Sequence, residues 1–288
     1  MNSPEKPTYF EARRWASFRI QNFSQIDMYD IDFLIQKRFG FSTTDMLIHY
    51  HDRMSSGQWL QFQNDVKRLI SGEPVQYIVG QADFYGLTLN VDSNVLIPRV
   101  ETEELVDWIL DQTTVYTNRP LKVLDIGTGS GAIAIALKAN RPEWQVNASD
   151  ISDSALKVAQ QNAQLHHVAI NFILSDIFAH INEAFDLIVS NPPYISASEV
   201  GDMDSSVKNN EPKIALFAAD DGLAIYKSLA KGVDAHLNAG GQLFVEIGFH
   251  QEASVRKIFQ EALPNAIVTA KHDVSGHQRM VQLRKNGE

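Results

Sequence analysis

The chain contains no cysteine. That excludes a disulfide framework, a cysteine-ligated zinc and a thiol nucleophile, and it fits a reducing compartment. Long apolar runs are missing too. The longest stretch free of Asp, Glu, Lys and Arg is Val158–Ser175, and glutamines, asparagines and His166-His167 interrupt it. It cannot span a bilayer. Met1–Trp15 carries Glu5, Lys6, Glu11, Arg13 and Arg14 and no apolar core, so no signal peptide is expected. Basic charge is also short: 25 Lys+Arg face 35 Asp+Glu, for a net charge of −10. Proteins that grip a phosphate backbone unspecifically are normally basic. The nine histidines show no metal-ligand spacing, and no metal is expected.

What is present suits a soluble, cytoplasmic globular protein. Apolar residues make up 44% of 288, enough for about two domains with cores of their own. The first part reads as helical. Tyr9–Ile20, Ile26–Phe39, a short segment after the Ser42-Thr43-Thr44 cap signal, and Gly57–Ile70 carry apolar residues at helical spacing. Four such helices predict a small bundle over 1–76. Phe84–Val91, the turn signal Asp92-Ser93-Asn94 and Val95–Pro98 predict a β-hairpin within a link over 77–99. Glu101–Asp111 is a further expected helix.

From Lys122 the pattern alternates strand and helix, and 100–288 is the expected main domain. Seven strands are expected, at Lys122–Ile126, Gln145–Ser149, Ile170–Leu174, Phe185–Ser190, Gly241–Ile247, Ala266–Ala270 and Arg279–Arg284. Helices such as Ser152–Leu165, Gly222–Leu237 and Gln251–Leu263 lie between them. The fold class is therefore α/β, with a seven-stranded, mostly parallel sheet covered on both faces. The short link between the last two strands predicts that they pair antiparallel at one edge.

Gly127-Thr128-Gly129-Ser130-Gly131 joins the first of these strands to the apolar helix Ala132–Leu137. Glycines let a ligand approach the backbone closely, and a helix start offers free N–H groups. The next strand ends at Asp150, where a carboxylate can accept hydrogen bonds from a ribose diol. Together these predict a nucleoside crevice at the carboxyl ends of the strands. The glycines alone do not separate it from a dinucleotide turn or from a tight turn with no ligand.

The fourth strand ends in Asn191-Pro192-Pro193-Tyr194. Pro192 keeps Asn191 out of the helical region. The prolines have no N–H and fix φ, so the backbone presents carbonyls in a rigid array. Tyr194 adds a flat aromatic face. Such a pocket suits a planar N–H₂ group on an sp² carbon: the Asn191 side-chain oxygen takes one hydrogen and the Pro192 carbonyl the other. Two acceptors hold a poorly nucleophilic nitrogen in line with an activated methyl group, and they favour the positive charge developing on it. A sulfonium methyl donor needs no metal. Asn191, Pro192 and Tyr194 are the candidate catalytic residues, with Pro193 in the substrate pocket.

These motifs resemble those of class I S-adenosylmethionine-dependent methyltransferases, which have a Rossmann-like fold. More narrowly, the chain resembles the bacterial release factor glutamine methyltransferase (PrmC/HemK) family. Gly72–Gly80, Phe84-Tyr85-Gly86, Val95–Glu103, Glu211-Pro212, Asp221-Gly222-Leu223, Glu246-Ile247-Gly248 and Asp273–Arg279 carry the resemblance beside Asn191–Tyr194. It implies methylation of the glutamine amide in the Gly-Gly-Gln motif of class-1 peptide chain release factors, with S-adenosyl-L-homocysteine as the second product. It implies that Gly127–Gly131 hold the methionine part of S-adenosyl-L-methionine, that Asp150 binds the ribose and that Asp176 and Ile177 flank the adenine. Asn191 would border the cofactor as well as fix the glutamine, and the N-terminal helices would help dock the release factor. A monomer is expected, with no membrane or direct nucleic-acid partner. Val100, Asn210 and Ala218-Ala219 depart from the family's usual residues.

Other readings weigh less. An N6-adenine DNA or ribosomal RNA base methyltransferase would also use an acceptor pocket with a stacking tyrosine, but the net charge and the lack of a basic recognition segment oppose it. An NAD-dependent oxidoreductase leaves Asn191–Tyr194 unexplained, and a non-catalytic cofactor-binding module would show no turnover. Trp15, Trp59 and Phe62 are expected in the core, and His166-His167 at a helix C-terminus. Arg99 and Glu101 are expected as a surface pair or cap. Asp202, Asp204, Asp220 and Asp221 are expected on a solvated face.

Overall fold

A computed structural model describes residues 6–114, 119–201 and 203–287. Glu5 and Asp202 lie outside them. The chain divides into two compact units. One takes the residues up to Gln81 together with Asp204–Asn210, and the other takes Ala82–Met203 and Glu211–Glu288. The expected link over 77–99 is thus shared out between them.

The smaller unit is helical: α1 (Tyr9–Ile20), α2 (Met28–Phe39), α3 (Thr43–Ile48), α4 (Ser56–Ile70) and α5 (Val75–Val79). Each of the first four starts at a capping box, with Thr8, Asp27, Ser42 and Ser55 as the capping residues. Such boxes satisfy N–H groups that a helix start leaves without partners. Trp15 and Trp59 meet edge to face at 4.9 Å in the core, and Phe62 is fully buried beside them. Asp65 is fully buried yet satisfied, accepting from Arg38 Nε at 2.7 Å and Gln61 Nε2 at 2.9 Å. Asn210, one of the departures from the family pattern, donates to the Gly72 carbonyl at 2.9 Å.

The hairpin is present, but its turn differs from the sequence expectation. Its strands are β1 (Gln81–Phe84) and β2 (Leu87–Asn90), joined through Tyr85-Gly86. Both turn residues have positive φ, 51° and 74°, as the tightest hairpin turns require. Tyrosine is rare in that position, so the pair did not read as a turn. Asp92–Val95 does turn, with Val95 N bonded to Asp92 O, but the chain beyond it forms no strand.

The larger unit continues with α6 (Val100–Gln112), β3 (Lys122–Ile126), α7 (Ala132–Asn140), β4 (Gln145–Asp150), α8 (Asp153–Leu165), β5 (Asn171–Leu174) and β6 (Phe185–Ser190). A 3-10 turn and the short helices α9 (Ser205–Asn210) and α10 (Lys213–Leu216) precede α11 (Ala224–His236), β7 (Leu237–Glu246), α12 (Glu252–Ala262), β8 (Ile267–His272) and β9 (Gln278–Arg284). Of these, α9 falls in the smaller unit. The seven-stranded sheet has the order β5-β4-β3-β6-β7-β9-β8. Strands β3 to β7 pair in parallel, and β9 runs antiparallel to both β7 and β8. The last two strands therefore pair as expected, with β8 at the edge.

Successive side chains of a strand point to opposite faces, and both faces here are apolar. Val123, Leu187 and Val189 join one buried cluster with Leu105, Ile109 and Leu137 from α6 and α7. Leu124, Ile188 and Val245 join the other, with Tyr226, Leu229 and Phe259 from α11 and α12. Each fully buried side chain of this size contributes roughly 1.5–3 kcal/mol.

Candidate active site

The parallel register decides which residues meet. Ile126 pairs with Ser149 of β4 on one side and with Ser190 of β6 on the other. The residues that follow, Gly127, Asp150 and Asn191, therefore lie at one level, Asp150 as the last residue of β4. β3 is also where the chain order reverses, running to β4 and β5 on one side and to β6 and β7 on the other. Crevices for ligands form at such switch points, at the carboxyl ends of the strands. A cleft of about 1150 Å³, open mouth included, lies there in the larger unit.

Gly127, Thr128, Gly129, Ser130, Asp150, Asp176, Ile177, Asn191, Pro192 and Pro193 all line this cleft. Gly131 and Tyr194 do not. A Cβ placed on Gly131 would press on Ile135 and Ala159, so that glycine serves the packing of α7 against α8. Tyr194 packs against the second core cluster, and its hydroxyl donates to Glu246 Oε1 at 3.4 Å. Burial above all, and the nearby Glu246 charge, push its phenol well above the usual value.

Asp150 ties two turns together. Its Oδ2 accepts from Gly129 N and its Oδ1 from Ser152 N, both at 2.9 Å. Burial raises its pKa, and backbone donors from Ser152, Gly129 and Ile151 oppose the rise. The carboxylate, with about four lone-pair sites, keeps acceptor capacity beyond these backbone donors. Below the glycine turn, Asp125 is fully buried, with Oδ2 accepting from Thr128 Oγ1 at 2.6 Å and from Ala134 N at 3.2 Å. Its Oδ1 has no partner. Burial pushes this carboxyl up to about 7, those two bonds pull it down and the Asp150 charge adds to the rise. Asp176 is exposed and Ile177 half-buried, with φ of 50° at Ile177.

Asn191 Nδ2 donates to Thr102 Oγ1 at 3.0 Å, and Thr102 Oγ1 donates to Glu246 Oε2 at 2.7 Å. Both partners are buried. Ser190 pairs with Val245, which sets Glu246 beside Asn191 at the ends of neighbouring strands. Sequence reasoning gave neither Thr102 nor Glu246 a role. The available signal was a carboxylate closing the apolar run Leu243-Phe244-Val245. Arg99, expected as a surface pair or cap, lines the cleft and pairs with the buried Glu211, which also accepts from Ile97 N at 3.2 Å. His166 Nε2 contacts the Thr88 carbonyl at 2.9 Å from the C-terminal cap of α8. Asp204, Asp220 and Asp221 are exposed, and Trp15, Trp59 and Phe62 are core residues.

The sheet order, the cleft and its lining define a Rossmann-like class I methyltransferase domain. The Methyltransferase small domain family matches residues 109–207, and the PrmC N-terminal domain family matches 11–80. A methyltransferase structure from Pyrococcus furiosus shares the fold at 15% identity and a TM-score of 0.52, covering 78% of this chain and 99% of that one. The release factor glutamine methyltransferase of Streptococcus pneumoniae is 44% identical over 252 residues, 87% of this chain and 89% of that protein. Its counterpart from Lactococcus lactis is 42% identical over 258 residues, 90% and 94%. The chain belongs to the release factor glutamine methyltransferase family.

Proposed function

We propose that this chain methylates the side-chain amide nitrogen of glutamine in the Gly-Gly-Gln motif of class-1 peptide chain release factors. The methyl donor is S-adenosyl-L-methionine, and S-adenosyl-L-homocysteine is released. One observation carries the reading: Asn191 and Pro192 share a single cleft with the glycine turn and Asp150.

The residues suit the donor. A Cβ built on Gly127 or Gly129 meets nothing within 4 Å, so the turn faces open space that a ligand can fill. Gly127, Thr128, Gly129 and Ser130 would hold the methionine part, with Gly131 shaping the turn. Asp150 would use its remaining lone pairs on the ribose hydroxyls, and Asp176 and Ile177 would flank the adenine. When bound, the donor supplies an electrophilic sulfonium methyl carbon, so no metal is needed.

Asn191 Oδ1 and the Pro192 carbonyl accept the two amide hydrogens of the glutamine. Pro193 stiffens this cradle, and Tyr194, packed in the core outside the cleft, anchors the segment from behind through Glu246. The cradle holds the nitrogen in line and favours the charge that grows on it. The displaced proton leaves to water. The N-terminal helices of 1–76 would dock the release factor, and the chain would act as a cytoplasmic monomer on protein rather than on nucleic acid. No helix among the described residues is long and apolar enough to cross a membrane.

The test is mass spectrometry of a release factor after incubation with chain and donor. One added methylene should appear on the glutamine of the Gly-Gly-Gln peptide. Label entering nucleic acid alone would overturn the reading.

A further inference from the structure

An asparagine amide has two nearly isosteric ends, and its partners decide which end faces a ligand. Thr102 carries one hydroxyl hydrogen. That hydrogen goes to Glu246 Oε2 at 2.7 Å. Thr102 Oγ1 then has only lone pairs to offer Asn191, so Nδ2 must be the end that meets it, at 3.0 Å. Oδ1 is left as the free acceptor: among the described residues nothing donates to it, and Asn191 lines the cleft.

We propose that Thr102 and Glu246 are positioning residues for methyl transfer: ionised Glu246, acting through Thr102, keeps the Asn191 carbonyl oxygen turned toward the reacting amide. The inference rests on the glutamine-methylating reading above and adds the device that orients its acceptor. Protonation of Glu246 reverses the chain of donors. The carboxyl O–H then donates to Thr102 Oγ1, the threonine hydrogen is free to bond Asn191 Oδ1, and the amide turns over. Its N–H₂ would then face the N–H₂ of the substrate, donor against donor.

The groups around Glu246 are mixed. Arg279 of β9 favours its ionised form, and Glu101 of α6 opposes it. Tyr194 donates to its side chain, and Tyr226 of α11 donates to its backbone carbonyl at 2.8 Å. Burial is the largest influence and lifts the carboxyl to about 7. The orientation switch therefore falls within the range where an enzyme can be assayed.

The experiment measures methylation of a Gly-Gly-Gln peptide by the full chain across about pH 5.5 to 8.5. It compares wild type with Thr102→Val, Thr102→Ser and Glu246→Gln. Thr102→Val should lower kcat about ten- to hundredfold, with donor affinity held within about threefold. Thr102→Ser keeps the hydroxyl and should recover most of the rate. Wild-type kcat/KM should fall about tenfold per pH unit on the acid side of the Glu246 titration. Glu246→Gln still accepts from Thr102 but does not titrate, so its acid limb should flatten. Asp125 also titrates near 7 and is present in both proteins, so the difference between the two profiles is the readout. An unchanged acid limb in Glu246→Gln overturns the proposal. If that variant fails to fold, the threonine pair decides: a wild-type rate from Thr102→Val, or equal losses in Thr102→Val and Thr102→Ser, overturns it. A wild-type chain that never methylates the peptide removes the underlying reading as well, so the two failures are distinct.

Discussion

Asp150 Oδ2 accepts the backbone N–H of Gly129 at 2.9 Å, so the carboxylate closing β4 is bonded to the turn that leaves β3. The same side chain thus holds the turn in place and faces the cleft. Asp150→Ala removes both functions. Donor affinity, read by titration calorimetry, should fall at least about tenfold, the loss of one charge-assisted pair of hydrogen bonds. Equal affinity would separate Asp150 from the ribose.

Asn191 is held from behind by Thr102 and lines the cleft in front. Removing its oxygen removes an interaction that strengthens as charge develops on the substrate nitrogen. Asn191→Ala should therefore lower single-turnover methylation of a Gly-Gly-Gln peptide about a hundredfold or more, while donor affinity changes only a few fold. A variant with normal turnover would take Asn191 out of the mechanism.

Much of this site was legible in the sequence because its framework is made of local signals. The apolar runs of β3, β4 and β6 end at Gly127, Asp150 and Asn191, and parallel pairing brings those three ends to one level. Long-range contacts were not legible. Nothing near Thr102 announces a hydrogen bond to a residue on β7. Arg99, expected as a surface pair or cap, does stand at the N-cap of α6, but its pairing was not legible because Glu211, its buried partner, lies more than a hundred positions away. The hairpin turn was displaced because Tyr85 takes a positive φ that favours other residues. Helices as short as α5, α9 and α10 lack the turns needed to show periodicity.

Asp125 links pH to stability. Its carboxyl ionises at an ordinary 3.8 when exposed and near 7 in the folded chain. Between those values the folded chain keeps a proton that the unfolded chain releases. The stability contributed by this group is therefore full below about 3.8 and is lost as pH rises through about 7. The loss amounts to roughly 4 kcal/mol at about 1.4 kcal/mol per pKa unit. Asp125→Asn does not titrate. Urea unfolding of both proteins should show the variant gaining on wild type by roughly that amount from about pH 4 to pH 8. Glu246 titrates alike in both and cancels. A difference that stays constant with pH would rule Asp125 out as the source.

Gly222 offers a test of how rigidly the Asn191–Tyr194 loop is held. Gln251 Nε2 donates to the Tyr194 carbonyl at 2.9 Å and to the Asp221 carbonyl at 3.3 Å, while its Oε1 accepts from Gly248 N at 3.0 Å. One glutamine thus clamps the loop after β6, the turn before α11 and the loop after β7. Gly222 sits inside the clamp at φ +81°, where a Cβ would lie 2.0 Å from the Tyr194 carbonyl oxygen and 2.5 Å from Gln251 Nε2. The nearer obstacle is backbone and cannot swing away. Gly222→Ala combines an unfavourable φ with this clash and should cost roughly 2–4 kcal/mol of stability. Turnover should fall more than donor affinity, because the displaced segment carries the Asn191 and Pro192 acceptors rather than the glycine turn. Gly57→Ala is the matched control: its Cβ meets nothing within 4 Å on an exposed turn of α4, and alanine there should add about 0.5 kcal/mol. If thermal unfolding and methylation assays found the two alanine variants alike, the clamp would be pliable and Gln251 would not be holding Tyr194.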